Sequence, residues 1–460
     1  MTYSEHLSQF ITTQNFQSIP AQVIERAKLH LLDTFGVALA GSVQTNGINS
    51  LKGLSHIPDT EGKCHVWGSP IKLSAAYAAM ANGISSHVLD FDDTHTDSIA
   101  HGSAVLAPLV MAMAEDLQLT SEQMLAAYIV GWEVAARVGI ASKGSFHQRG
   151  FHATAVAGVF GAVSSAANLL DLSAEACAHA IGLTGSQASG VAEYLTNSSS
   201  AKCFHAGWAA HAGLISAYLA KAGMTGPMTI FEGRYGLYVT HGISENAQPQ
   251  DVCSELGERW EMLRVSIKPY PCCHFAHATV DCARMLSDEG IKPEEIESIH
   301  CIVDKIAAAL ICEPLESKYE PKTPYAAKFS LPYLVASGIY DNNLNLASFL
   351  PEQLTRKNVL ALAKKVSYRY SEPGEIPFPT YFPGSITVKL TNGKTVSKRL
   401  DINYGNPENP MKASDVERKF RDNVAGILTP QATEKVIALV SDLENQSVTE
   451  LAEWLTQTVR

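Results

Sequence analysis

Charge is the first shortage of this 460-residue chain: only 18% of its residues are Asp, Glu, Lys or Arg, below the ~25% usual for soluble domains. Acidic residues outnumber basic ones 46 to 35, a net charge of −11 with histidine neutral. That balance argues against a nucleic-acid partner, which needs a basic face or stripe. It leaves room for a small anion held by a few well-placed cations. The nine cysteines include no CxxC pair, and Cys272 and Cys273 are adjacent, a spacing that suits neither zinc nor a routine disulfide. A reduced, cytoplasmic setting is the simplest expectation. No segment reaches the ~18 uninterrupted apolar residues of a membrane span. Met1 to Gln14 carries neither the basic nor the apolar region of a secretory signal. No membrane partner is therefore expected.

Several chemical motifs are missing too. There is no GxGxxG, GxxxxGKS/T or GxSxG, and Gly185, Ser189 and Gly190 fit none of them. A thiol nucleophile at Cys272 or Cys273 would have only its chain neighbour His274 as a base. Sequence neighbours rarely form such a pair.

What is present reads as mainly α. The length allows about two or three domains and a large core, and so little charge suggests self-association. From about residue 18 to 260 apolar residues recur at three- and four-residue spacing. Val23, Ala27, Leu31, Phe35 and Ala38 share a face that Gly41 closes. Similar helices are expected over 74–85, 104–117, 121–141, 153–170, 173–181 and 208–222. After about residue 262 the pattern alternates. Strands are expected over 296–304 and 365–371, and a hairpin over 385–400 around Asn392-Gly393. Helical segments at 276–289 and 326–339 lie among them. Helices return from 410, where Ser414 and Glu417 suggest a capping box. The expected architecture is a large all-helical domain made by both ends of the chain (1–262 and 409–460) with an inserted smaller α+β domain (263–408).

The cations are placed sparingly. Between Arg149 and Arg234 only Lys202 and Lys221 occur. Lys221 ends a helix and suits its C-terminal dipole. Lys202 follows Ser198, Ser199 and Ser200 at a helix entrance, where a cation is disfavoured unless an anion binds there; the bland alternative is a solvated loop lysine. His101 and His152 each precede a helix. The positive end of the dipole tends to hold such histidines neutral and able to accept a proton, although a lone histidine is more often structural. Upstream of His101 run His87, Asp90, Phe91, Asp92, Asp93, Thr94, His95 and Asp97. That cluster could orient a catalytic histidine, cap helices or bind a hard metal, without HExxH or EF-hand spacing for the last. In Lys268-Pro269-Tyr270-Pro271-Cys272-Cys273-His274 two prolines enforce an extended backbone at the expected domain boundary.

Together these segments resemble the signature of the MmgE/PrpD family. The run Leu89-Asp90-Phe91-Asp92-Asp93-Thr94 with His101 carries the likeness. So do Gly150-Phe151-His152, Ala201-Lys202-Cys203-Phe204-His205-Ala206-Gly207, Phe231-Glu232-Gly233 after Gly226-Pro227, Leu31-Leu32-Asp33-Thr34 and Lys268-Pro269-Tyr270-Pro271. The family includes 2-methylcitrate dehydratase, cis-aconitate decarboxylase and iminodisuccinate epimerase. The resemblance implies a helical domain with an α+β lid, usually paired as a homodimer, and an active site using neither metal nor organic cofactor. It also implies catalytic roles for Asp90, Thr94, His101, His152, Lys202 and Lys268. Substrate contacts are expected from Lys202, Lys268, Tyr270, Cys273 and His274.

The sequence departs from the family pattern at His101-Gly102, where His-Pro is common, and by one extra residue between Thr94 and His101. Cys273 falls where animal-type decarboxylases use a histidine, with His274 and His277 close by in the chain. The expected function is a cofactor-independent lyase acting on a small di- or tricarboxylate. An epimerase, or a carboxylate-binding protein without activity, is the alternative.

Overall fold

The computed structural model describes residues 1–197, 199–376 and 381–459; Ser198, in the serine run before Lys202, lies outside them. The protein is mainly α, with 57% helix and 10% strand. It divides into two compact units, Met1–Ile267 with Lys412–Arg460, and Lys268–Met411.

Long helices dominate the first unit: α1 (Ala21–Ser42), α2 (Ala75–His87), α3 (Ser103–Leu117), α4 (Ser121–Ala141), α5 (Ala153–Leu169) and α6 (Ala201–Lys221). Their Ala- and Gly-rich faces allow close approach. On α2 and α6, a Cβ added to Gly83 would lie 2.9 Å from Gly207 Cα, and one added to Gly207 would lie 2.4 Å from the Met80 carbonyl oxygen. These two helices therefore cross almost backbone to backbone, which fixes the ends that carry His87 and Lys202. Helix α4 starts at a reciprocal capping box between Thr120 and Gln123. It is the one described helix long and apolar enough to cross a membrane, and 94% of that apolar window is buried inside the protein.

The second unit is built on a four-stranded sheet of β1 (Ile296–Val303), β2 (Val366–Tyr370), β3 (Gly384–Leu390) and β4 (Thr395–Leu400), in the order β2-β1-β3-β4. Strands β1 and β2 are parallel, whereas β1–β3 and β3–β4 are antiparallel. Helix His277–Asp288 packs on β3 and β4 and against Leu331–Asp341. The core between them includes Val280, Leu286, Ile299, Leu334, Ile386 and Val388.

Several boundaries differ from the sequence reading. A helix at Tyr3–Thr13, capped by Thr2 and Glu5, precedes the first expected one. The stretch 326–339 is two helices, Pro324–Lys328 and Leu331–Asp341. The break falls ahead of Pro332, which has no N–H to continue the ladder, and Ser330 caps the new start through Tyr333 N. The suggested Ser414–Glu417 box does not form. Helix Ala413–Val424 begins after Lys412, so Ser414 already lies inside its first turn. The expected helix 208–222 starts a full two turns earlier, at Ala201.

Candidate active site

Segment 88–102 joins α2 to α3 and holds most of the acidic and imidazole groups. It opens with Asp90 in the left-handed region, φ +55°. Among residues other than glycine, Asp and Asn tolerate that conformation best. Thr94 and His95 then pair antiparallel with Ser266 and Val265. His95 also bridges to Ala100, closing a tight loop that delivers His101 to the start of α3. The His101 backbone N–H donates to Thr154 Oγ1 in the first turn of α5 (3.1 Å).

His101 Nδ1 lies 2.8 Å from the Asp93 carbonyl oxygen and 3.2 Å from Thr94 Oγ1. A carbonyl oxygen only accepts, so Nδ1 carries the proton and Nε2 of the neutral ring is left as a lone pair. The Asp92 carboxylate, fully buried, stands 3.7 Å from the same Nδ1. His87, at the end of α2, donates Nδ1–H to Asp92 Oδ2 at 2.7 Å.

His152 caps α5, its backbone N–H held by the Gly190 carbonyl (2.8 Å). Its Nδ1 meets His205 Nδ1 at 3.2 Å. Burial first, then the charges of His87 and Lys202, push His152 well below the ordinary histidine range and His205 down to about 4. Two neutral rings joined through Nδ1 share one proton there. One ring thus presents a lone pair at Nε2 and the other an Nε2–H. The His87, His101 and His152 rings lie 5.2–6.3 Å apart, with His147, His205 and Tyr194 around His152.

Lys202 sits in the first turn of α6, and its ammonium is bound by the Asp90 carboxylate. The position that looked costly for a cation is thus met by a side chain 112 residues away. Behind this layer Asp93 accepts from Ser103 and is 2.7 Å from His30 Nδ1. Burial raises the Asp93 carboxyl to about 7.

The structure therefore gathers Asp90, Thr94, His101, His152 and Lys202 in the first unit. It adds His87, Asp92 and His205. The first two stood in the acidic–imidazole cluster without an assigned role; His205 was missed as a site residue, although its three-residue spacing from Lys202 puts both on one helix face.

Lys268, Tyr270, Cys273 and His274 belong to the second unit. Lys268 is buried there. The Tyr270 hydroxyl donates to Asp281 (2.6 Å) and accepts from Arg284, so it is engaged within its own unit. Cys273 N–H donates to the Lys328 carbonyl, and His274 Nε2 lies 3.2 Å from Asn403 Nδ2. Among the described residues no three His, Cys, Asp or Glu side chains are grouped as a metal ion would require.

The first unit thus presents a cluster of imidazoles and an ion pair, and the second is a smaller α+β unit. Residues 5–250 match the MmgE/PrpD N-terminal domain and residues 270–445 the MmgE/PrpD C-terminal domain; the chain belongs to that family. It is similar to the cis-aconitate decarboxylase of Homo sapiens, 28% identical over 437 residues, which cover 92% of this chain and 88% of the relative. The Mus musculus cis-aconitate decarboxylase is 27% identical over 431 residues (92% and 87%). That of Aspergillus terreus strain NIH 2624 is 27% identical over 462 residues (96% and 93%). These likenesses support an enzyme of the lyase type.

Proposed function

We propose that this protein is a cofactor-independent lyase acting on a small di- or tricarboxylate, with decarboxylation of a cis-aconitate-like substrate as its reaction. The observation that carries the reading is His101. Its Nδ1–H is fixed on the Asp93 carbonyl, so a proton moved in turnover is carried on Nε2, and its ring lies 6.3 Å from that of His152. The relatives named as cis-aconitate decarboxylases support the choice of reaction.

In that reaction the bond from carbon to one carboxylate breaks and carbon dioxide leaves. The electron pair moves into the remaining unsaturated carboxylate, which becomes enediolate-like, and a proton is then delivered to carbon. Lys202, shared with Asp90, stabilises the charge that builds on the carboxylate oxygens. By the family resemblance Lys268 is assigned the same work. His101 takes up a proton from solvent at Nε2, delivers it to carbon and returns to the neutral ring. Thr94 helps hold the ring, and Cys273 and His274 are assigned to substrate contact.

Cys273 favours a second reading, dehydration, because it stands where the resemblance places a histidine in animal-type decarboxylases. There His101 Nε2 would take the proton next to a carboxylate, and the Nε2–H of the His152–His205 pair would protonate the departing hydroxyl. A proton-coupled NMR time course in deuterium oxide with cis-aconitate, methylcitrate, citrate and iminodisuccinate separates the readings. Carbon dioxide release with one deuterium on carbon supports decarboxylation, a new alkene dehydration, and exchange without net product epimerisation. Carboxylate binding with no conversion would reject an enzyme.

A homodimer in the cytoplasm is part of the same proposal. Phe204, Trp208 and His211 stack along the outside of α6, with Tyr77 of α2 beside them, and Tyr218 and Leu219 extend the exposed face. A second copy would cover it, and sedimentation of a monomer at micromolar concentration would remove this part.

A further inference from the structure

One side chain of the site has a nitrogen that the chemistry above does not use. His87 is 2% exposed, and its Nε2 is buried without a hydrogen-bond partner among the described residues. A buried polar atom left unsatisfied in a native structure calls for a reason. Its ring lies 5.2 Å from that of His101 and stacks on His152 at 5.3 Å and 22°. Its Nδ1–H is fixed on Asp92 Oδ2, the oxygen that also stands 3.7 Å from His101 Nδ1. One buried carboxylate thus faces two imidazoles.

We propose that Asp92 and His87 form a positioning pair for His101. Asp92 is the counter-anion for the proton that His101 carries during turnover, and His87 holds that carboxylate in place while damping its charge. The idea deepens the lyase reading and rests on it for the turnover half alone. The proton travels on His101 Nε2, between that nitrogen and substrate carbon. Asp92 neither gains nor loses one, and no bond to His87 forms or breaks.

The physical consequence is a pair of opposite effects. Without the Asp92 charge, an imidazolium at His101, whose side chain is 13% exposed, loses an anion 3.7 Å away, so His101 holds its proton less well. Without His87, the Asp92 carboxylate loses a 2.7 Å donor and attracts the His101 proton more strongly. The other groups facing this carboxylate and ring remain in both variants. They include Asp93 in the same segment, Asp33 on α1 with its partner Lys419, His152 at the start of α5, and Lys202 and His205 on α6. A purely structural role for the pair would not move His101 in opposite directions.

The test uses the full chain labelled with 15N-histidine, with long-range 1H–15N spectra recorded from about pH 5 to 9, a span around the ordinary histidine range. Asp92→Asn is expected to lower the His101 midpoint and His87→Gln to raise it, each by at least about half a unit, while Asp92→Glu stays nearer the parent than Asp92→Asn. Midpoints that move together, or not at all, overturn the proposal. If Asp92→Asn does not fold, His87→Gln decides alone: an upward shift supports the pair and no shift refutes it.

Turnover supplies the second readout. With cis-aconitate, Asp92→Asn is expected to lower kcat about tenfold or more with KM little changed, the scale of a general acid deprived of support. Opposite titration shifts in a protein that converts none of the carboxylates would sustain the pair and sink the lyase reading. Normal turnover in Asp92→Asn would do the reverse.

Discussion

Gly207→Ala tests whether the site depends on how closely α2 and α6 approach. The new methyl would sit 2.4 Å from the Met80 carbonyl oxygen and 2.7 Å from Ile84 Cγ1. Ile84 can turn aside, but the carbonyl belongs to the backbone of α2. Restoring an ordinary contact of about 3.4 Å means parting the helices by roughly 1 Å, and overpacking of this kind costs about 1–3 kcal/mol, here toward the upper end. The helix propensity of Ala over Gly returns only about 1 kcal/mol. The displacement also separates His87 on α2 from Lys202 and His205 on α6, and a misplacement of about 1 Å can lower turnover on the order of 100-fold. Urea unfolding and kcat are the assays. Gly53→Ala is the control, because a Cβ there meets nothing within 4 Å; its exposed helical position should gain up to about 1 kcal/mol. Unchanged stability and unchanged turnover in Gly207→Ala would refute the reasoning.

Three further outcomes are expected. Lys202→Met leaves the Asp90 carboxylate, whose side chain is only 6% exposed, without its cation. This should cost about 2–4 kcal/mol, less than a fully enclosed pair because Lys202 still meets solvent, and lower kcat about 100-fold. The double variant Lys202→Met/Asp90→Asn should recover stability in urea unfolding but not turnover. His205 is neutral in the fold down to about pH 4, while an unfolded histidine takes up its proton near pH ~6.5. The unfolded chain therefore binds more protons in that window, and stability falls as pH drops through it; His205→Gln should show a shallower acid loss by calorimetry. Cys273→His should raise carbon dioxide release relative to alkene formation in the NMR assay, and an unchanged ratio would show that this position does not set the reaction.

Long amphipathic stretches were legible because their period is local. Helix α4 occupies Ser121–Ala141 as its apolar spacing indicates, and Asn392-Gly393 marks the hairpin between β3 and β4. Interruptions were harder to read. The break at Phe329 and Ser330 follows from Pro332, but the apolar run through 326–339 hides it. Helix Ala413–Val424 begins directly after Lys412 although Ser414 and Glu417 have capping-box spacing, because a cap depends on the backbone angle of its first residue as well as on its side chains.

For the site, His101, His152 and Lys202 were visible as helix-entrance residues. The partners that give them their chemistry come from elsewhere in the chain. Asp90 reaches Lys202, and His205 reaches His152 across 53 residues. No local pattern encodes those meetings; close glycine contacts of α6 bring them about, at Gly207 with α2 and at Gly213 with Ala162 and Val163 of α5.

The most direct test of the central claim is carbon dioxide release from cis-aconitate by the purified protein, in the presence of a chelator and alongside His101→Ala and Lys202→Ala. The account predicts release by the parent chain that the chelator does not diminish, and a fall of about 100-fold or more in each variant. Full turnover in both variants, or activity that disappears with the chelator and returns with added metal, would contradict it.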